Sequence, residues 1–204
     1  MSRRLLRSGV FAALLIGFAL SVAIGAQRTS TAPPQSAEQA IASWKAKPRE
    51  VAQQMIKKYG APQEVTANRL IWHNNGPWKF TELVNEEIPH TFPVPHHDML
   101  YQTIDYRVDP SDADELLTYD GSVVLERTKG ELAARCDKEE ANFLAINLAN
   151  DIATGKRSVE DARRFYAESM AQMMKTGQPN EYLKGFRFTV AKGDQGDRDK
   201  PFGS

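Results

Sequence analysis

The sequence predicts an α+β fold: an antiparallel sheet of about five to six strands packed with an N-terminal helix and a C-terminal helical hairpin. Three observations carry that expectation. Strand-like runs are grouped in the middle of the chain instead of alternating with helices, which disfavours a parallel sheet. Asn75-Gly76 and Asp120-Gly121 are two-residue turn signals set among apolar runs. Two capped, amphipathic stretches separated by a few residues lie near the C-terminus and read as an antiparallel helix pair.

Residues 1–26 read as a secretory signal peptide. Arg3, Arg4 and Arg7 precede an apolar run over residues 10–26 that ends in the small residues Ala23, Gly25 and Ala26. An uncleaved anchor is the alternative, because the run sits at the short limit of a membrane span. In both cases the arginines stay on the cytoplasmic side and the domain faces outward, in the periplasm or secreted. Ser2-Arg3-Arg4 is a partial twin-arginine signal, with Arg7 where that signal prefers an apolar residue. Residues 27–37 read as a flexible linker, 38–190 as one α+β domain and 191–204 as a disordered tail.

Residues 38–59 read as helix: Ile41, Trp44, Val51, Met55 and Ile56 recur near helical spacing, Pro48 marks a break, and Gly60 and Pro62 stop it. Residues 69–84 read as a hairpin turning at Asn75-Gly76, which would set His73 opposite Trp78 and Ile71 opposite Phe80 on one face. Residues 86–98 form a proline-punctuated loop, and 99–108 alternate like a strand. Residues 109–114 have turn chemistry, and 116–136 read as a small meander with Val123 across from Cys136 and Leu125 across from Ala134. Residues 137–154 read as a helix opened by an Asp137/Glu140 capping box, and Ser158 with Asp161 opens the next, closed by Gly177. Phe186 to Val190 suggests a last strand.

Composition narrows the function. Removing the three leader arginines from the 26 basic residues leaves 23 against 26 acidic ones, so a broad electrostatic grip on nucleic acid is not expected, nor on membrane except through the leader. Cys136 is the single cysteine, which excludes an internal disulfide and a paired-cysteine metal site. Serine-nucleophile elbow, phosphate loop, HExxH and calcium-loop signatures are absent from the sequence.

All four histidines, His73, His90, His96 and His97, fall within one short stretch, and that clustering is the most distinctive feature of the chain. Imidazole suits zinc or copper, and carboxylates can complete a site. In an extended segment His96 and His97 point to opposite sides while His96 and Asp98 share one. A straight strand would hold His90 roughly 20 Å from His96, so Pro93 and Pro95 would have to help fold the loop back. The metal-ligand candidates are therefore His90, His96, His97 and Asp98, with His73, Glu86 or Glu87 as further donors. The bland alternative is a polar loop whose histidines cap backbone groups or face solvent. Trp72, His73 and Trp78 around the hairpin turn are candidates for a ligand-binding surface, against core packing of the indoles. Cys136 reads as a small buried thiol, and Met170, Met173 and Met174 as core filling and not thioether ligands.

The residues point first to an exported, non-catalytic cell-envelope domain that binds a partner protein or a small ligand, with no cofactor. The alternative is a metal-binding protein or metal-dependent hydrolase using the loop 90–98, with zinc or copper as the ion. A cysteine hydrolase built on Cys136 comes third. Convergence of the histidines with Asp98 in one small volume favours the metal; histidines pointing apart into solvent favour the first reading.

Overall fold

Alternating side chains over residues 69–105 build the centre of a six-stranded antiparallel sheet within residues 36–203, which are those the computed structural model describes. The leader and the linker up to residue 35 lie outside the described residues. The strands are β1 (Glu64–Val65), β2 (Arg69–Asn75), β3 (Trp78–His90), β4 (His96–Asp105), β5 (Val123–Glu126) and β6 (Glu131–Cys136), in spatial order β1-β2-β3-β4-β6-β5. Together with the helices they make the expected α+β fold.

The register gives the sheet two unlike faces. Leu70 and Trp72 of β2, Thr81 and Leu83 of β3, Leu100, Gln102 and Ile104 of β4, and Leu132, Ala134 and Cys136 of β6 share the buried face. Ile71, His73, Phe80, Glu82, Tyr101 and Arg135 share the other and stay half-buried or exposed. Helix α2 (Ala46–Tyr59) packs on β3 and contributes Val51, Ala52 and Met55 to one apolar cluster with Leu70, Trp72, Leu83 and Leu100. Helix α4 (Glu139–Ala153) packs on β6 and is buried nearly all round, because α5 (Val159–Thr176) covers its outer side. A polar layer lies where the two clusters meet: buried Glu139 accepts hydrogen bonds from Trp78 Nε1 (2.7 Å), Gln102 Nε2 (3.4 Å), Tyr59 and Lys58. Burying a carboxylate costs several kcal/mol unless donors surround it, and here four do.

Several boundaries follow the expected chemistry. The short helix α1 (Ala37–Ile41) opens with a Ser36/Gln39 capping box. Pro48 sits in the first turn of α2, where its missing N–H is not needed, and the break falls before it, at residues 42–45. Ser158 caps α5 by accepting from Asp161 N, and Gly177 ends it in the left-handed conformation.

Other expectations are corrected. The hairpin pairs His73 with Phe80 and Asn75 with Trp78, two residues displaced, because Gly76 and Pro77 take the central turn positions. Gly76 has φ +63, and a Cβ there would meet the Tyr59 ring at 2.8 Å. Likewise β5 pairs Val123 with Ala134, since residues 127–130 form a longer turn closed by Gly130. The first arm of the supposed meander is helix α3 (Ala113–Tyr119), nucleated by Asp109 capping a 3₁₀ turn with Pro110 at its start. Helix α4 has Lys138 at its N-cap without a side-chain bond, while Asp137 turns toward the Cys136 thiol. No strand forms at residues 186–190: after α6 (Glu181–Lys184), Asn147 binds the Tyr182 and Gly185 carbonyls and the Arg187 N–H, satisfying backbone that a ladder would otherwise take. The segment after residue 190, read as a disordered tail, has no helix or strand, and Arg107 donates to the Gln195 and Gly196 carbonyls in it.

Candidate metal centre

The loop expected over residues 86–98 is mostly strand. β3 runs on to His90, β4 starts at His96, and only residues 91–95 turn between them. This hairpin sets His90 directly across from His96, with ring centroids 4.9 Å apart, instead of the strand-length separation of an open segment. Extra residues on β3 between Leu83 and Ile88 shift the register, so that His90 meets His96 and Ile88 meets Asp98. Since side chains alternate, His96 and Asp98 lie on the same side of β4 and His97 on the other, where it is exposed.

Three donor atoms result, one each from His90, His96 and Asp98, all within 4.8 Å of one another. His96 Nε2 is 3.1 Å from Asp98 Oδ1, and His90 Nδ1 is 3.3 Å from Asp98 Oδ2. Yet the alignment is poor for hydrogen bonds: His90 Nδ1 and Asp98 Oδ1 are buried and make none. Unsatisfied buried polar atoms are rare because each costs about 1–3 kcal/mol. Here two lie side by side among ligand-type groups.

The next layer orients the first. His96 Nδ1 donates to the Val94 carbonyl at 2.8 Å, which leaves Nε2 facing Asp98. Asp120 Oδ1 is 3.5 Å from His90 Nε2 on the far side of the ring from Asp98. A ring nitrogen held by a carbonyl while the other faces the ion is the usual arrangement for a metal-bound histidine; His96 has it, whereas Asp120 stands near His90 without a hydrogen bond. Asp120 is itself held by the Ser122 N–H and hydroxyl, both at 2.8 Å; burial pushes its carboxyl up and those two bonds oppose the shift.

Cys136 adjoins the group from β6. Its Sγ lies 3.5 Å from His96 Nε2, and the thiol also faces Asp137 at 3.7 Å. The residue is 5% exposed and burial pushes the thiol up, which agrees with the buried-thiol expectation and speaks against an activated nucleophile. The Asp98 carboxylate 3.1 Å from Nε2 and, after it, the contact with Cys136 push His96 up to about 11. In the turn between β3 and β4, Phe92 packs on Tyr166 with the Arg163 guanidinium 3.9 Å from its ring. Solvent reaches the site at the histidines, whose side chains are 18% and 17% exposed.

The remaining candidates lie elsewhere. His73 is on the open face, paired with Glu64 at 2.6 Å, and Glu87 is paired with Lys45. Trp72 and Trp78 are each 1% exposed, their indole N–H groups bound to the Gly60 carbonyl and to Glu139, so with His73 they form no common surface. Met170 is buried, Met173 packs against the core, and Met174 is exposed. Asp120 and Cys136 were not among the sequence candidates for the metal. Asp120 was legible only as a turn residue, and Cys136 only as a core thiol. Among the described residues no helix is long and apolar enough to cross a membrane. No protein-family model, curated protein or solved structure matches this chain.

Proposed function

We propose that this chain is an exported domain that binds a borderline-soft transition ion, zinc or copper, through His90, His96 and Asp98. The observation that carries the reading is the convergence of one ligand atom from each of His90, His96 and Asp98 within 4.8 Å, in a group where buried His90 Nδ1 and Asp98 Oδ1 make no hydrogen bond. Each histidine has a nitrogen near one oxygen of the Asp98 carboxylate, His96 Nε2 at 3.1 Å from Oδ1 and His90 Nδ1 at 3.3 Å from Oδ2, against about 3.4 Å between nitrogen and oxygen donors in a zinc tetrahedron. Two histidines and a carboxylate suit zinc or copper better than the hard ions magnesium and calcium. The arginine-led apolar leader supports the export half of the reading, since an envelope protein meets such ions directly. Burial of Trp72 and Trp78 removes the indoles from the expected binding surface, which also included the 90–98 loop, so the metal reading moves ahead of it.

Calorimetric titration of zinc and copper into chelator-stripped protein tests this. One site per chain with affinity at or below about micromolar is expected, falling at least about tenfold in His96→Ala and Asp98→Asn. Absence of any such binding in folded wild-type protein refutes the proposal.

A further inference from the structure

We propose that Cys136 supplies a fourth donor, a thiolate, to the same ion, which closes the coordination shell. This rests on the metal reading above and deepens it. Three facts point to the sulfur. Its separation from His96 Nε2, 3.5 Å, is close to the nitrogen–sulfur edge of a zinc tetrahedron, about 3.6 Å for bonds of 2.1 and 2.3 Å, although the sulfur stands outside the group of three donors that lie within 4.8 Å of one another, so His90 and Asp98 must draw in toward it as the ion binds. Asp98, itself 3% exposed, has its unpartnered Oδ1 3.1 Å from that same nitrogen, so the sulfur and an unsatisfied oxygen flank one lone pair. Finally, Cys136 stands opposite Leu100, on the face of the sheet that Asp98 and His96 share, so paired strands and not a loop present it.

The chemistry balances without a co-reactant. The S–H bond breaks as the sulfur–metal bond forms, and the proton leaves to solvent, with the Asp137 carboxylate as the adjacent acceptor. A thiolate beside two imidazoles and a carboxylate narrows the ion to the soft end of the series, zinc or copper, and away from manganese, magnesium and calcium. Four protein donors leave no position for a substrate or a reactive water, and closed zinc sites are structural where catalytic ones keep a position open. The domain therefore holds its ion and does not hydrolyse with it.

Cobalt(II), a spectroscopic stand-in for zinc, separates the two readings in one titration of reduced, metal-stripped protein. Tetrahedral binding gives intense visible d–d bands whatever the ligands, and a thiolate ligand adds a near-ultraviolet sulfur-to-cobalt charge-transfer band. The expected wild-type result is both, saturating together at one equivalent. Cys136 being the only cysteine, Cys136→Ser keeps the visible bands, loses the near-ultraviolet band and binds more than about tenfold more weakly. Visible bands without the near-ultraviolet band in wild type overturn the fourth ligand and leave the three-residue site standing. Neither band overturns both. The wild-type spectrum decides by itself, so a Cys136→Ser protein that fails to fold does not weaken the test.

Discussion

On the proposed reading a metal ion and a proton compete for one lone pair, that of His96 Nε2. In the metal-free protein Asp98, and after it Cys136, hold the imidazolium up to about 11, so the proton is in place at neutral pH. The sign follows from linkage: a group raised in the folded state stabilises fully below its ordinary value of 6.5, and that stabilisation is lost as pH rises through about 11. Metal must displace this proton, so binding tightens as pH rises and releases a proton into the buffer. Imidazole NMR resonances of metal-free protein are expected to show His96 still protonated at pH 9 and deprotonated when zinc is added. Titration near 6.5 would contradict the close His96–Asp98 pairing. At this scale much of the site was legible. Clustering and side-chain alternation put His96 and Asp98 on one side, but His97 was kept among the ligand candidates and faces the other way, exposed. His90 needed the hairpin. Asp120 and Cys136 needed long-range pairing, for Cys136 lies 40 residues from His96 and only the β4–β6 ladder brings it there.

Elements with local punctuation were legible, and those decided by tertiary contacts were not. Ser158, Gly60 and Gly177 mark helix ends through backbone chemistry of their own, so α2 and α5 followed from the sequence. Both hairpins were recognised, yet each register is displaced by two residues, which a turn dipeptide cannot specify once the loop lengthens or proline enters it. The displacement keeps side-chain parity, so Cys136 and Leu132 still face the core. The alternating stretch Phe186 to Val190 misled because a single side chain intervenes. Asn147, fully buried, donates to the Tyr182 and Gly185 carbonyls at 2.9 and 2.8 Å and accepts from the Arg187 N–H at 2.7 Å. Those bonds fix a non-strand path that delivers Phe186 onto Trp78 and Phe143. Asn147→Ala is expected to lower unfolding stability by about 3 kcal/mol, three bonds at about 1 kcal/mol each, read from denaturant midpoints at unchanged slope. A loss under about 0.5 kcal/mol would mean the segment is held by its aromatic contacts instead.

At the scale of the whole molecule, one sheet does two jobs. Its buried face carries two apolar clusters joined at Glu139, where donors from α2, β3 and β4 meet the first turn of α4. The proposed metal site, His90, His96 and Asp98, lies at the end of the sheet where the β3–β4 hairpin turns, held by strands that the helices already clamp. A site on paired strands keeps its geometry better than one on a free loop, which is why the convergence of His90, His96 and Asp98 carries functional weight. Fold class was readable from the grouping of strands and helices, whereas this placement required the register. The most direct test of the central claim is a crystal of the metal-stripped protein soaked with zinc, with anomalous data collected above and below the zinc edge. The account predicts one strong anomalous peak per chain, bounded by His90 Nδ1, His96 Nε2 and the Asp98 carboxylate. A peak only at other residues, or none at all in ordered crystals, would contradict it.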